Sequence, residues 1–103
     1  MFGKIGDMLG KLQEMKQKAD EIKARLETMT TEVTGASGDI KVRINGNRKV
    51  QQLSIAPSLL HGNNTELEKQ LITTLNDAIA QADKMTETEM KKLAGGLLPP
   101  GLL

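Results

Sequence analysis

From Ile5 to Met29 the chain carries two interleaved apolar series, and this repeat limits its fold more than any other feature. Ile5, Leu12, Ala19 and Leu26 are seven apart; Met8, Met15, Ile22 and Met29 form the second series. Steps of three and four place apolar side chains on one face of an α-helix. The spacing therefore predicts a helix over 4–29 with a single a/d seam. Gly3, Gly6 and Gly10 weaken its first turns, so the start is expected to fray or fall later.

The period then changes. Thr31 to Thr34 suit a short strand, and "TGASG" reads as a turn. In "DIKVRIN", Ile40, Val42 and Ile44 alternate with Lys41 and Arg43, the pattern of a half-buried strand. "NGN" at 45–47 signals a hairpin, because Asn and Gly tolerate positive φ. "RKVQQLSIA" returns as a third strand with Leu53 and Ile55 inward. Val50 is out of phase with them, so a bulge is expected.

After the connection "PSLLHGNN", Thr65 and Glu68 form a T-x-x-E capping box that would start a second helix. Its apolar stripe is Leu67, Leu71, Leu75, Ala78, Ala82 and Met85, flanked by Ile72 and Ile79. Gly95 and Gly96 are expected to stop it. Residues 1–94 then form one α+β domain of order α-β-β-β-α, with a small antiparallel sheet and two long helices. Residues 95–103 are read as a flexible Gly/Pro/Leu tail.

Strands of this size span about 20 Å and the helices about 40 Å, so the sheet cannot cover either seam. The uncovered apolar length must meet the other helix or a second copy of the chain. An intertwined homodimer is expected.

Charge placement raises the functional question. Lys11, Lys18 and Arg25 border one side of the first seam, and Lys16 and Lys23 the other. Two such helices paired seam to seam would set cation against cation in either orientation, so the flanks call for a negative partner. DNA phosphates are one candidate. The second helix is another: it holds four lysines against six acids, a net of −2. A second basic cluster, Lys41, Arg43, Arg48 and Lys49, is opposed only by Asp39, a net of +3 over 39–49. It reads either as phosphate-contacting or as a solvated sheet face that blunts edge pairing.

Much chemistry is excluded. The chain has no Cys and a single His, His61, in a turn-like stretch, so no zinc or iron site is credible. Ser37, Ser54 and Ser58 have no base beside them in sequence, and "TGASG" lacks the G-x-x-x-x-G-K-[ST] pattern. An enzyme, a cofactor and a small-molecule substrate are not expected. No apolar run reaches the roughly 20 residues of a membrane span, and the start is read as mature cytoplasmic sequence. Phe2 is the only aromatic residue, so platforms for stacking unpaired bases are lacking.

The motifs "MFGK", "VTG" followed by "SG", "ING", "IAPSLL" and "LPPG", in this order and around a long Met/Lys/Gln helix, resemble the YbaB/EbfC family of bacterial nucleoid-associated proteins. The likeness runs over nearly the whole chain. It departs in a shorter stretch before "ING" and in Ala56, where the family often has Asp. The resemblance implies an intertwined dimer with projecting helices, double-stranded DNA as partner, and effects on DNA conformation, the nucleoid and gene expression. It supplies no DNA-binding residues. Those rest on charge placement alone: Lys11, Lys16, Lys18, Lys23 and Arg25, with Lys41, Arg43, Arg48 and Lys49 as a second surface. The competing expectation is a protein-interaction module that docks a partner on the Met-rich seam and the apolar tail, since Met suits adaptable surfaces.

Overall fold

The computed structural model describes the backbone of residues 2–97 and the side chains of residues 5–95. Helix α1 (Phe2–Thr28) leads into strands β1 (Thr30–Gly35), β2 (Ile40–Asn45) and β3 (Val50–Ile55), and helix α2 (Asn64–Leu97) follows. The strands form one antiparallel meander in the order β1-β2-β3. The α-β-β-β-α order and the α+β class predicted from the periodicities are those observed.

The core lies between the inner face of the sheet and α2. Ile40, Val42 and Ile44 on β2 are fully buried against Ala78 and Ala82 of α2. Val33, Leu67, Leu71 and Leu75 complete the cluster. The small alanines let α2 approach closely. Gly35 serves the same end from the sheet side, because a Cβ there would collide with the Thr74 hydroxyl. That hydroxyl is buried and donates to the Gln70 carbonyl at 2.7 Å.

The phase break at Val50 is resolved by a bulge. Arg43 pairs with Gln52, but Ile44 pairs with Val50, which leaves Gln51 as the extra residue. Val50, Leu53 and Ile55 thereby share the inner face with Ile44, Val42 and Ile40. They are not equally covered, however. Helix α2 packs across β1 and β2, and Val50 and Leu53 keep nearly half their surface exposed.

Several boundaries differ from expectation. Helix α1 runs from Phe2 straight through its glycines. "ASG" is a 3-10 turn with positive φ at Ala36, Ser37 and Gly38. In the hairpin the positive φ falls on Arg48. Asn63, not Thr65, caps α2: its Oδ1 accepts from Thr65 N at 2.9 Å, and its carbonyl from Leu67 N at 3.1 Å. Helix α2 also passes through Gly95 and Gly96 to Leu97 rather than stopping there. Residues 98–103 of the expected tail lie outside the described residues.

At 34 residues α2 is about 51 Å long, and α1 at 27 residues about 40 Å. The sheet supports only part of each, and the molecule measures 71 × 25 × 18 Å. Along the α1 seam, burial falls steadily towards the N-terminus. Leu26 and Ile22 are 3% and 5% exposed, Ala19 is intermediate, and Met15, Leu12 and Met8 are 44%, 58% and 64% exposed. The first half of α1 is an arm that stands clear of the body.

Candidate nucleic-acid interface

The arm is held by the hairpin between β2 and β3. A helix C-terminus leaves its last carbonyls without intrahelical partners. Here the hairpin supplies the donors. Gly46 N–H reaches the carbonyls of Leu26 and Met29, both at 3.0 Å, and Asn47 Nδ2 donates to the Lys23 carbonyl at 2.9 Å. Asn45, fully buried, orders the loop: its Oδ1 accepts from Asn47 N at 2.9 Å and Lys49 N at 3.0 Å. Gly46 sits so close to α1 that a Cβ would press on the Leu26 side chain and carbonyl. The other helix is joined at the same place, where Thr86 Oγ1 donates to the Gly46 carbonyl at 3.0 Å.

Charged groups of the hairpin take part in this joint. Lys49 Nζ lies 2.9 Å from Glu27 Oε1, and Asn47 Nδ2 donates to Glu27 Oε2 at 2.6 Å. The hydrogen bonds from Asn47 and Lys49 hold the Glu27 carboxyl below its ordinary pKa, with the Lys49 and Lys23 charges adding to the effect. Arg48 forms an ion pair with Asp83 of α2. Farther along, Arg25 Nη2 lies 3.0 Å from Oε2 of the buried Glu89, whose Oε1 is 3.4 Å from Lys92.

The nine cations singled out from the sequence thus fall into three groups. Arg25, Arg48 and Lys49 pair with acids on another element: Arg25 ties α1 to α2, and Arg48 and Lys49 tie the hairpin to α2 and α1. The expectation that basic flanks pair with the acidic second helix is met for Arg25. Lys11, Lys16 and Lys23 are exposed on α1 and make no ion pair among the described residues, while Lys18 pairs only with Glu14 one turn away at 3.4 Å. Lys41 and Arg43 form the third group, on the outer sheet face. Their cross-strand neighbours there are Thr34 and Ser54, and Glu32 and Gln52. Neither cation forms an ion pair among the described residues, and α2 covers the opposite face.

Asn45, Asn47 and Gly46 were read from the sequence only as a turn. Their capping of α1 could not be seen there, because the partners lie 18 to 24 residues away. His61 is exposed in a 3-10 turn, Pro57–His61, and no group of three His, Cys, Asp or Glu side chains able to hold a metal ion occurs among the described residues.

An exposed helical arm with free lysines, rooted on a three-stranded sheet, narrows the candidates, and comparison with known proteins decides the family. The profile of the YbaB/EbfC DNA-binding family matches residues 1–97. The chain belongs to this family. A nucleoid-associated protein of Flavobacterium johnsoniae is 38% identical over 97 residues, covering 92% of this chain and 91% of that one. Another, from Desulforamulus reducens, is 35% identical over 103 residues, covering 99% and 98%. The YbaB/EbfC fold is also that of an uncharacterized Helicobacter pylori protein, with a TM-score of 0.69 at 24% identity over 96% of this chain and 98% of that one. DNA binding as the family's activity and association with the nucleoid agree with the reading of the sequence motifs. The family is not a known enzyme family, and no described helix is long and apolar enough to cross a membrane.

Proposed function

We propose that the chain works as a homodimer that binds double-stranded DNA through backbone phosphates and thereby alters DNA conformation in the bacterial nucleoid. The observation that carries this reading is the arm. Lys11 and Lys16 are exposed on the half of α1 that reaches beyond the body, and Lys23 is exposed at its root, with no acid bound to any of them among the described residues. Lys18 joins them, since an exposed i,i+4 pair contributes only about 0.3–0.5 kcal/mol and a phosphate can replace Glu14. Lys41 and Arg43 on the outer sheet face are a second surface. Arg25, Arg48 and Lys49 rank last, because contact with phosphate would compete with Glu89, Asp83 and Glu27.

Phosphate contact suits a side-chain inventory with one aromatic residue. It positions a protein on DNA without reading sequence. Support for the homodimer comes from β3. It is an edge strand, and its inner face keeps Val50 and Leu53 exposed where the core would continue. A second copy docked there would cover both the open edge and the apolar face.

The test is a duplex titration followed by fluorescence anisotropy at low and physiological salt, with light scattering to weigh the particle. Saturable binding that weakens steeply with salt, by a particle of twice the 11.2 kDa chain mass, is expected. The exposed seam of the arm favours a second reading, docking of a partner protein. Apolar docking would persist in high salt, and absence of duplex binding at low salt would leave that reading alone.

A further inference from the structure

We propose that the outer face of the sheet enters the major groove of duplex DNA and reads base edges there, with Arg43 as its main contact. The proposal rests on the duplex-binding reading above and gives this second surface a task other than phosphate contact.

The strand register builds the face. Two rows of three side chains cross it: Thr34, Lys41 and Ser54 in one, Glu32, Arg43 and Gln52 in the other. All six are exposed, and no outward position of the three strands is apolar. Protein partners favour a patch with an apolar centre, which this face lacks. Helix α2 covers the opposite face, and a second copy seated on the β3 edge and inner face leaves this one open.

The profile of the face is a ridge. Lys41 and Arg43 stand on the middle strand and are the longest side chains of their rows, with shorter ones on β1 and β3 to either side. Strands β1 and β3 lie about 10 Å apart, two interstrand spacings, and the major groove is about 12 Å wide. Along β2 the two rows are about 7 Å apart, which matches two base-pair steps of about 3.4 Å. Strands are one of the elements by which proteins enter DNA grooves.

The chemistry separates base edges from phosphates. Phosphates ask for cations, and a carboxylate beside those cations would oppose their contact. Glu32 stands directly across from Arg43, yet neither forms an ion pair among the described residues. Glu32, Lys41, Arg43, Gln52 and Ser54 line one shallow recess, which thus offers donors and acceptors together. Base edges present the same mixture. Guanine O6 and N7 accept from Arg or Lys, adenine pairs with Gln through N6 and N7, and cytosine N4 donates to a carboxylate. The lysines of the arm would position the duplex through its phosphates, and the sheet would supply the preference for sequence.

The full-length protein would be used to select duplexes from a random pool. The selected sites should share a core that contains guanine, and the protein should protect guanine N7 in that core from methylation by dimethyl sulfate. Arg43→Gln should lower affinity for the selected duplex about 5- to 150-fold more than for an unrelated one, the worth of one bidentate pair, and should abolish protection at one guanine or more. Lys11→Gln with Lys16→Gln should weaken both duplexes alike and leave the protection in place. Binding without sequence enrichment, guanine N7 that stays reactive, or equal losses on both duplexes in Arg43→Gln would overturn the proposal and leave the phosphate reading standing. Loss of N7 protection in the lysine variant alone would overturn it too, by assigning the groove to the arm. No duplex binding even at low salt would overturn both readings.

Discussion

The two halves of α1 share one repeat and have opposite fates. From Ala19 to Thr28 the seam is buried by the sheet and α2, the terminal carbonyls are capped by the hairpin, and Arg25 is held by Glu89. From Ile5 to Gln17 the same repeat stands in solvent, and its lysines Lys11 and Lys16 form no ion pair among the described residues. A heptad pattern states which face is apolar, not what covers it. Cover is decided by the residues that the hairpin and α2 bring within reach.

The contrast can be broken most strongly at the anchored end. Leu26→Ala should cost about 2–5 kcal/mol in urea unfolding, as expected for a buried leucine, whereas Leu12→Ala should stay within about 0.5 kcal/mol. Equal costs would mean that the arm is covered as tightly as the root. Gly46→Ala should cost about 1–3 kcal/mol, because the new Cβ presses on Leu26 at the point where the hairpin caps α1.

Charge substitutions sharpen the comparison. Replacing Lys11, Lys16 and Lys23 together by Gln should leave the unfolding midpoint nearly unchanged. It should weaken duplex binding and lower the salt slope by about one for each lysine that touches a phosphate. Arg48→Gln should do the reverse: affinity unchanged, and a stability loss of at most about 1 kcal/mol for an exposed pair. A loss of affinity in Arg48→Gln alone would move the interface from the arm to the hairpin.

The smallest effect is a pH dependence at the joint. Because the Glu27 pKa is lowered in the folded state, its contribution is fully present above the unfolded carboxylate value. It is lost as pH falls through the lowered folded value. Glu27→Gln should therefore flatten the acid side of the stability profile, measured by thermal unfolding from neutral pH downwards, and should leave the difference between neutral and mildly alkaline pH unchanged.

Element types were readable because each carried its own period: seven along α1, two along β2, and three to four along α2. The bulge was readable from the misfit of Val50. Helix ends were less so. Asn63 took the cap expected of Thr65, because its side chain sits one residue ahead of α2's first turn. Gly95 and Gly96 were expected to stop α2, yet the helix runs on to Leu97. The sequence marked nine candidate cations but could not sort them. Whether Arg48 is a free charge or a rivet depends on Asp83, which is 35 residues away.

By itself, then, the sequence determined the order of elements, the faces that must be apolar, the lack of thiolate chemistry, and the family to which the motifs belong. These are local or compositional properties, written in spacing and residue type. The tertiary structure alone decided which cations are spent on holding the helices and which remain on the arm, and how far the seam is buried. Both depend on distances between residues remote in sequence, and a repeat carries no record of those distances.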